Sequence, residues 1–521
     1  MLRSRALSRN EKVALAFFAG VATLLRALAF FRYRFDADEQ HHAHVAWGWS
    51  EGLVQYRDYF DNHAPLFHLL MSPVFLLAGE RRDILLWLRV PMLLLFGVMV
   101  WATYVLARKL YDERVALWAV VLLALFPPFF LKSLEFRTDN LWNVLWMLAL
   151  VALVLGKRPF LIGLVLGAAF AVSMKTSLLL ITLLLAAAIT RMFRKTEIRG
   201  KWVEGLAGFV IVPAVLVIFF VSVGGWDDLV YCNFTFNGNL AKTRTNLWVA
   251  RAIFPFTFGA LVWAAWRFRA AANVWRYFFA VAIGVYTVTL AGFWILISPR
   301  DFLPLMPLIA IFVAAMVTRF ARPVVSFGVV CVLCAAALWY YADRFENRTA
   351  WHYTMMDQAL RLTRPGEMVM DLKGETIYRP RPFYYAFELI TRSQIAYGII
   401  PDTVAADVVR TRTYIAQADG PMWPPVARAF LNDYFINLGR LRAAGGWVRK
   451  DGTFSIAVPG EYVLLVAAGE ARGVVDGAPY VGALTLDAGL HRFTGEENVA
   501  VVWAPAWRRG HSPFRLRDTE F

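Results

Sequence analysis

The sequence predicts a polytopic α-helical membrane protein of about eleven transmembrane helices, with a C-terminal extracytoplasmic region of α/β and β-sandwich type. Of its 521 residues 59% are hydrophobic and only 18% charged, whereas soluble proteins average roughly 45–50% and 25%. Apolar runs of about the twenty residues that cross a bilayer recur through residues 1–342 and stop there. This composition excludes an ordinary soluble enzyme, and three cysteines exclude a disulfide scaffold.

The division at residue 342 is also a division of charge. Residues 1–342 contain 33 Lys/Arg and 18 Asp/Glu, whereas residues 343–521 contain 21 and 20. The basic residues therefore belong to the membrane part, which argues against nucleic-acid binding. The expected domains are a transmembrane domain at 1–342, a small α/β domain at 343–445 and a β-sandwich-like domain at 446–521.

Eleven segments of residues 1–342 are predicted spans: 13–31, 84–107, 115–131, 139–156, 159–173, 177–192, 203–223, 248–267, 275–297, 302–318 and 323–341. One set of alternate turns carries 19 Lys/Arg against 4 acidic residues, and the opposite set carries 11 against 13. Because positive charge marks the cytoplasmic side, the N-terminus is expected inside and the C-terminal region outside, periplasmic in a cell (inner) membrane. The 15 apolar residues 65–79 are too short to span, and we interpret them as an interfacial or re-entrant helix.

The first outer loop, residues 32–64, has an unusual density of titratable groups. Asp36, Asp38 and Glu39 precede His41, and five of the eight histidines lie between His41 and His68. Carboxylates at a membrane surface can deprotonate a hydroxyl, bind a metal or hold a cation. The structural alternative is a polar loop in which Asp and His serve as caps.

Three further outer turns pair carboxylates with isolated cations. They hold Arg137 with Asp139, Lys175, and Arg300 with Asp301. A lipid phosphate at membrane depth needs such cations, and a hydroxyl nucleophile beside it needs a carboxylate base. The alternative for Asp139 is a helix cap.

These motifs together resemble the GT-C class of glycosyltransferases that use polyprenyl-phosphate sugars. Asp38-Glu39 is similar to the class's Asp-Glu, and residues 60–66 are similar to the Phe-Asp-x-His-Pro-Pro-Leu of the protein O-mannosyltransferase and aminoarabinose-transferase superfamily. Residues 137–139, 173–176 and 300–307 resemble its later outer-loop motifs, with Ala64 and Asp301 departing from the pattern. The resemblance covers residues 13 to about 320.

The resemblance implies an inverting transfer from a polyprenyl-phosphate-linked sugar donor to a glycan, lipid or protein acceptor on the outer face. Asp38 would be the catalytic base, with the catalytic residues Glu39 and Asp139 orienting acceptor or base. The substrate-binding residues would be Asp61, His63, Arg137, Lys175 and Arg300, of which the last two hold the lipid phosphate. No cofactor is required, although His41, His44 and Asp36 are candidate ligands for a divalent metal.

The C-terminal region changes pattern near residue 446. Strands are expected at 367–371 and 413–416 and a helix at 425–441, and short strands follow at 454–458, 462–466, 473–475, 483–486 and 500–503. Asp476-Gly477 and the 486–491 segment ending at His491 resemble a motif of carbohydrate-binding sandwiches. The alternatives there are sugar contact and a folded cap with a hairpin turn.

Two other functions remain open: a transporter or flippase of a lipid-linked saccharide, and a non-catalytic protein of a surface-polymer assembly system. A transporter predicts ionisable residues at mid-membrane depth. Arg26, Arg89, Glu204 and Arg251 lie inside the predicted spans, each within about two turns of a span end. That placement favours the enzyme.

Overall fold

The computed structural model describes residues 7–194, 201–239, 248–294, 297–418, 420 and 422–515. The chain forms two compact units. The first, called here the membrane unit, comprises Met1–Arg34, Asn62–Met71 and Leu86–Arg348. The second, the α/β unit, comprises Phe35–Asp61, Ser72–Leu85 and Thr349–Phe521. The first outer loop of the sequence therefore folds largely with the C-terminal region.

Within the described residues, seven helices are long and apolar enough to cross a membrane, which makes this an integral membrane protein. They are Arg9–Arg32, Ile84–Leu110, Thr176–Arg194, Trp202–Ser222, Val274–Phe293, Pro299–Val317 and Pro323–Tyr341. The other predicted spans fall on helices Glu113–Leu125, Thr138–Val154, Pro159–Val172 and Trp248–Arg267. The polytopic helical class is confirmed, and the count of eleven stays a prediction.

Prolines explain two breaks within the apolar segments. The expected span 115–131 divides at Phe126, because a residue before proline avoids helical geometry, and Pro127–Lys132 forms a separate helix. Residues 65–79 form two helices, Leu66–Met71 and Pro73–Ala78. The span Pro299–Val317 consists of the 3-10 helix Pro299–Leu305 followed by the α-helix Met306–Val317. Shorter elements of the membrane unit are Trp226–Val230, the π-helix Tyr231–Thr235, Phe236–Gly238 and the 3-10 helix Asp343–Phe345.

Small residues let helices Pro159–Val172 and Trp202–Ser222 pack closely. A Cβ at Gly163 would lie 1.9 Å from the Gly205 carbonyl oxygen, and one at Gly208 would lie 2.0 Å from that of Phe160. Only glycine fits at such contacts, which are typical of helix pairs in membranes.

Arg26 and Arg89 are buried inside the membrane unit rather than extended toward a membrane surface. Arg89 donates to the carbonyl oxygens of Phe30 at 2.8 Å and Tyr33 at 3.1 Å, at the end of the first helix. Arg26 donates to the Phe130 carbonyl at 2.6 Å. Both arginines thus satisfy backbone carbonyls left open at helix ends.

The α/β unit contains two sheets around one hydrophobic core. The larger sheet contains Val369–Met370, Ile415–Gln417, Phe435–Asn437, Leu441–Trp447, Gly460–Val466, Gly469–Glu470, Leu484–Leu486 and Ala500–Trp503, and the smaller contains Thr453–Ile456, Gly473–Val475, Ala478–Pro479 and Gly489–Gly495. Its helices are Ala37–Ser50, Pro73–Ala78, Ala350–Leu362, Leu389–Ala396, Val404–Arg410, Pro425–Tyr434 and Ala504–Arg508. The first two strands of the larger sheet pair in parallel, whereas its remaining pairs are antiparallel.

The expected boundary between residues 445 and 446 falls inside strand Leu441–Trp447. This strand pairs with Ile415–Gln417 on one side and with Ala500–Trp503 on the other, so one sheet contains strands from both expected domains. The helix expected at 425–441 ends at Tyr434, and that prediction was wrong beyond this residue, because Phe435–Asn437 pairs with Leu441–Trp447.

Candidate active site

Three turns that the charge pattern predicts to be outer meet in the membrane unit and form what we call the charge cluster. Its members are Lys132, Glu135, Arg137, Asp139, Lys175, Arg300 and Asp301. The turn after Lys132 is held by the Asn140 amide, which donates to the carbonyls of Lys132 at 3.1 Å and Glu135 at 2.7 Å. The three turns are thereby brought together within the membrane unit.

Glu135 anchors one half of the cluster and is almost fully buried. Its Oε1 lies 2.6 Å from the Lys132 ammonium, and its Oε2 lies 3.2 Å from an Arg300 guanidinium nitrogen. One carboxylate therefore holds two cations, one of which was predicted to bind the donor phosphate. Arg300 remains 18% exposed, so its guanidinium is still accessible.

Lys175 links the two carboxylates of the other half. Its ammonium lies 2.6 Å from Asp301 Oδ1 and 3.4 Å from Asp139 Oδ1. Arg137 Nε lies 3.4 Å from the second oxygen of Asp139. His63 is also within electrostatic range of Asp139. The sequence-predicted residues Arg137, Asp139 and Lys175 are thus brought together.

Local structure fixes the positions of these side chains. Asp301 Oδ2 accepts from the Ser298 N–H at 2.7 Å and caps the 3-10 helix Pro299–Leu305. The Trp142 indole donates to Thr176 Oγ1 at 2.9 Å and ties helix Thr138–Val154 to the start of Thr176–Arg194, directly after Lys175. Asp301, which departs from the resembled motif, is therefore the carboxylate that holds Lys175.

The cluster favours the charged form of Lys175 and contains more cations than carboxylates. Burial opposes the charge of Lys175, but the carboxylates of Asp139 and Asp301 outweigh it and raise its pKa above the ordinary value. Four cations face three carboxylates within the cluster. Such a group can accept a further anion without leaving an uncompensated negative charge.

In the α/β unit, the acidic part of the first loop begins helix Ala37–Ser50. Asp36 is the N-cap, and its carboxylate accepts from the Asp38 N–H at 3.1 Å. Glu39 completes the capping box, because its Oε1 accepts from the Asp36 N–H at 2.9 Å. The structural alternative therefore applies to Asp36, and the buried Glu39 carboxylate fixes the turn that carries Asp38.

Asp38 has a partner that the sequence did not reveal. Its Oδ1 lies 2.9 Å from the Lys373 ammonium, and its side chain is 28% exposed while that of Lys373 is 10% exposed. Burial opposes the charge of Lys373, but Asp38 and then Glu388 outweigh it and raise its pKa. The Asp38 carboxylate is thus fixed by an ion pair and remains partly accessible.

A tightly bonded turn presents Lys373. The buried Asp371 carboxylate accepts from the N–H groups of Gly374 at 2.7 Å and Thr376 at 2.8 Å, and it pairs with Arg381 at 2.8 Å. Gly374 has φ +90° and packs against His44, where a Cβ would lie 2.6 Å from the His44 side chain. The only signal in the sequence is a Lys-Gly-Glu turn after a buried strand.

The proposed metal ligands His41, His44 and Asp36 are not brought together as a set within the described residues. The Asp36 carboxylate caps the helix, and His44 Nδ1 bonds the Ile377 carbonyl at 2.8 Å. Burial lowers the pKa of His44 to about 4. His41 Nε2 instead lies 3.3 Å from Asp61 Oδ1, and these two residues could supply ligands to a metal.

The residues of the Asp476–His491 motif form hydrogen bonds with one another. His491 Nδ1 lies 2.7 Å from Asp476 Oδ2, and its Nε2 lies 2.9 Å from the Asp487 carbonyl. These contacts join two turns of the smaller sheet, which favours the folded-cap alternative. Asp476 and the Asp487 carbonyl hold a proton on His491 and raise its pKa against the effect of burial.

Comparison with known proteins gives one family match and several structural ones. Residues 62–220 match the family described as dolichyl-phosphate-mannose-protein mannosyltransferase. No curated protein matches the sequence. The crystal structure of ArnT from Cupriavidus metallidurans in the apo state is similar at 14% identity and a TM-score of 0.56, over 82% of this chain and 97% of ArnT.

The same ArnT bound to undecaprenyl phosphate is similar at 12% identity and a TM-score of 0.52, over 81% of this chain and 95% of that one. The oligosaccharyltransferase of Archaeoglobus fulgidus, in complex with Zn and sulfate, is similar at 14% identity and a TM-score of 0.46, over 85% and 72%. The family match and the ArnT similarity confirm the resemblance inferred from the sequence motifs.

Proposed function

We propose that this chain, which has the GT-C glycosyltransferase fold, transfers a sugar from a polyprenyl-phosphate donor to an acceptor at the outer face of the membrane, with inversion. The observation that carries the proposal is the charge cluster of the membrane unit. Its four cations are held in place by three carboxylates. The ArnT structure of the same fold contains undecaprenyl phosphate, and a lipid phosphate is the anion that such a cluster suits.

Lys175 and Arg300 would bind the donor phosphate. Both are fixed by carboxylates yet remain 25% and 18% exposed. Because their partners already set the side-chain positions, little conformational entropy is lost when a phosphate binds. The planar guanidinium of Arg300 can donate two hydrogen bonds to phosphate oxygens, whereas Lys175 supplies a compact charge. Arg137, His63 and Asp139 would complete this subsite, with Asp139 orienting Lys175.

Asp38 would be the general base of a single displacement. The acceptor hydroxyl oxygen attacks the anomeric carbon and its proton passes to the Asp38 carboxylate. The bond between that carbon and the phosphate oxygen breaks, and polyprenyl phosphate leaves with the bonding electrons. One displacement inverts the anomeric configuration. The Lys373 ammonium, 2.9 Å from Asp38, would favour the ionised carboxylate that this step needs. Glu39 fixes the helix start that carries Asp38.

Asp61 and His41 would orient the acceptor beside this base. Asp61 is fully buried, and its Oδ2 accepts from the Gln55 amide at 2.7 Å. A buried carboxylate bonded on both oxygens is well positioned to direct a neighbouring donor group. The reaction as written needs no metal, and a divalent ion bound at His41 and Asp61 would act on the position of these side chains.

The charge distribution of the turns supports an orientation with the N-terminus in the cytoplasm and the α/β unit outside. The acceptor would then be an extracytoplasmic glycan, lipid or protein. Mass analysis of surface glycans from cells with and without the gene tests this function. We expect one sugar to be lost from a glycan, lipid or protein. Loss of whole lipid-linked saccharides from the outer face, with no single missing sugar, would indicate a transporter instead.

A further inference from the structure

A second group of cations lies in the membrane unit, at one end of an apolar groove. Helices Trp248–Arg267, Val274–Phe293 and Met306–Val317 enclose a groove of about 650 Å³. Its walls are apolar and include Trp263, Ile283, Phe312 and Met316. We propose that this groove binds a membrane phospholipid with an anionic headgroup.

Three arginines line one end of the groove: Arg267, Arg276 and Arg319. No acidic residue lines it, and the sequence contains no Asp or Glu between Asp228 and Asp301. Within the part of the chain that the structure describes, no carboxylate pairs with any of the three guanidinium groups. Among the described residues these three charges therefore have no carboxylate counter-ion, and an anion from outside the protein can pair with them.

Arg276 is held in position before any ligand arrives. Its Nε donates to the Leu110 carbonyl at 2.6 Å, and its guanidinium carbon lies 4.1 Å above the Tyr111 ring. Tyr111 itself lines the groove. The carbonyl and the ring together fix the plane of the Arg276 guanidinium, so its two terminal nitrogens have a set direction. This favours a defined position for the headgroup.

The groove is shaped for a chain as well as a headgroup. A Cβ at Gly284 would lie 2.8 Å from Leu261 Cα, so glycine lets two helices close together along the groove. Trp263 is 58% exposed and Met316 is 54% exposed. The walls are thus continuous with the apolar helix surface that a bilayer covers, which favours a membrane lipid over a soluble anion.

The groove is distinct from the proposed donor subsite. The Tyr286 hydroxyl donates to the Asp301 carbonyl at 2.8 Å, which places the charge cluster near the end of helix Val274–Phe293. Arg276 lies ten residues earlier on that helix, about 15 Å along its axis. A headgroup held by the three arginines would therefore lie at the end of this helix away from the cluster, while the apolar wall of the groove continues along the helix as far as Thr287.

The test measures lipid binding by native mass spectrometry of the full-length protein in detergent. Phosphatidylglycerol and phosphatidylethanolamine are titrated separately against the protein. We expect phosphatidylglycerol to bind at least about tenfold more tightly. The variant Arg267→Ala/Arg319→Ala should lose about ten- to thirtyfold of that affinity, since each basic side chain near an anionic lipid contributes about 1 kcal/mol.

The matched control is Arg108→Ala/Arg322→Ala, which removes two exposed arginines that do not line the groove. It should bind phosphatidylglycerol as the unaltered protein does. An equal loss in the control, or equal binding of the two lipids, would overturn the proposal. Preferential binding of polyprenyl phosphate at this site would also overturn it, because the occupant would then be the carrier. The readout does not depend on transfer activity.

Discussion

The charge cluster of the membrane unit and the Asp38–Lys373 pair of the α/β unit use carboxylates differently. Glu135 and Asp301 are each 1% exposed and serve cations whose positions they fix. Asp38 pairs with Lys373 and stays 28% exposed. The comparison teaches that the buried acids here fix the positions of cations, as the proposed phosphate subsite requires, whereas the accessible acid has the exposure that the proposed base needs.

The largest effect expected from this comparison is at the accessible acid. Asp38→Asn keeps the side-chain shape and removes the base. A positioned general base contributes about 10² to 10⁴ in rate, so turnover should fall at least about a hundredfold while donor affinity is kept. Turnover and donor binding are measured on the purified protein.

Asp36→Asn is the matched control for Asp38→Asn. Asparagine is as good an N-cap as aspartate, so the helix start should be retained and activity nearly unchanged. An inactive Asp36→Asn enzyme together with an active Asp38→Asn enzyme would show that the base is Asp36 and not Asp38. If both were active, Asp61 and Asp139 would be the next candidates.

A smaller effect is expected within the cluster. Lys175→Ala should weaken donor binding by about ten- to a hundredfold, because a charge-assisted contact to phosphate contributes roughly 1.5–3 kcal/mol. Donor affinity and the melting temperature are measured together. Unchanged affinity with a lower melting temperature would show that Lys175 only neutralises Asp139 and Asp301. Lys132→Ala in the same cluster reports the stability effect of losing one cation.

Lys373→Met should change pH dependence more than the maximal rate. Without the ammonium 2.9 Å away, the ionised form of Asp38 is less favoured, so the acidic limb of the pH–rate profile should move to higher pH. Lys450→Met, an exposed lysine of the same unit, should leave the profile unmoved. Equal pH–rate profiles for the two variants would show that the Asp38–Lys373 ion pair does not affect the ionisation of the base.

The smallest effect concerns stability near Lys373. Burial, followed by the charge of Asp371, raises the pKa of Glu375 to about 7. A carboxyl with a raised pKa in the fold stabilises it at low pH, and this stability is lost as pH rises from about 4.5 to 7. Glu375→Gln should therefore flatten the pH dependence and raise the melting temperature at pH 8. A lower melting temperature at pH 8 would contradict this assignment.

Much of the membrane unit could be predicted from the sequence because apolar runs and charge bias are local signals. Within the described residues each expected span overlaps a helix, although 115–131 divides at Phe126. The sequence also indicated Arg137, Asp139 and Lys175 as site residues, and the structure brings these three together. Pro127 and Pro73 at helix starts account for the breaks that hydrophobicity alone does not show.

The long-range partners could not be predicted in the same way. Lys373 lies 335 residues from Asp38, and Glu135 lies 165 residues from Arg300. Neither pairing follows from periodicity or spacing, because each depends on how distant segments fold together. The sheet that continues across residue 445 has no local signal for the same reason, since the pairing of Leu441–Trp447 with Ile415–Gln417 and Ala500–Trp503 arises from tertiary contacts.

Direct turnover of a polyprenyl-phosphate sugar tests the central claim most directly. The purified protein is incubated with a panel of such donors, with and without candidate acceptors, and release of polyprenyl phosphate and the anomeric configuration of the product are measured. We predict acceptor-dependent release of the carrier phosphate and an inverted linkage. A retained configuration, or sugar transfer that needs no lipid phosphate, would contradict the account.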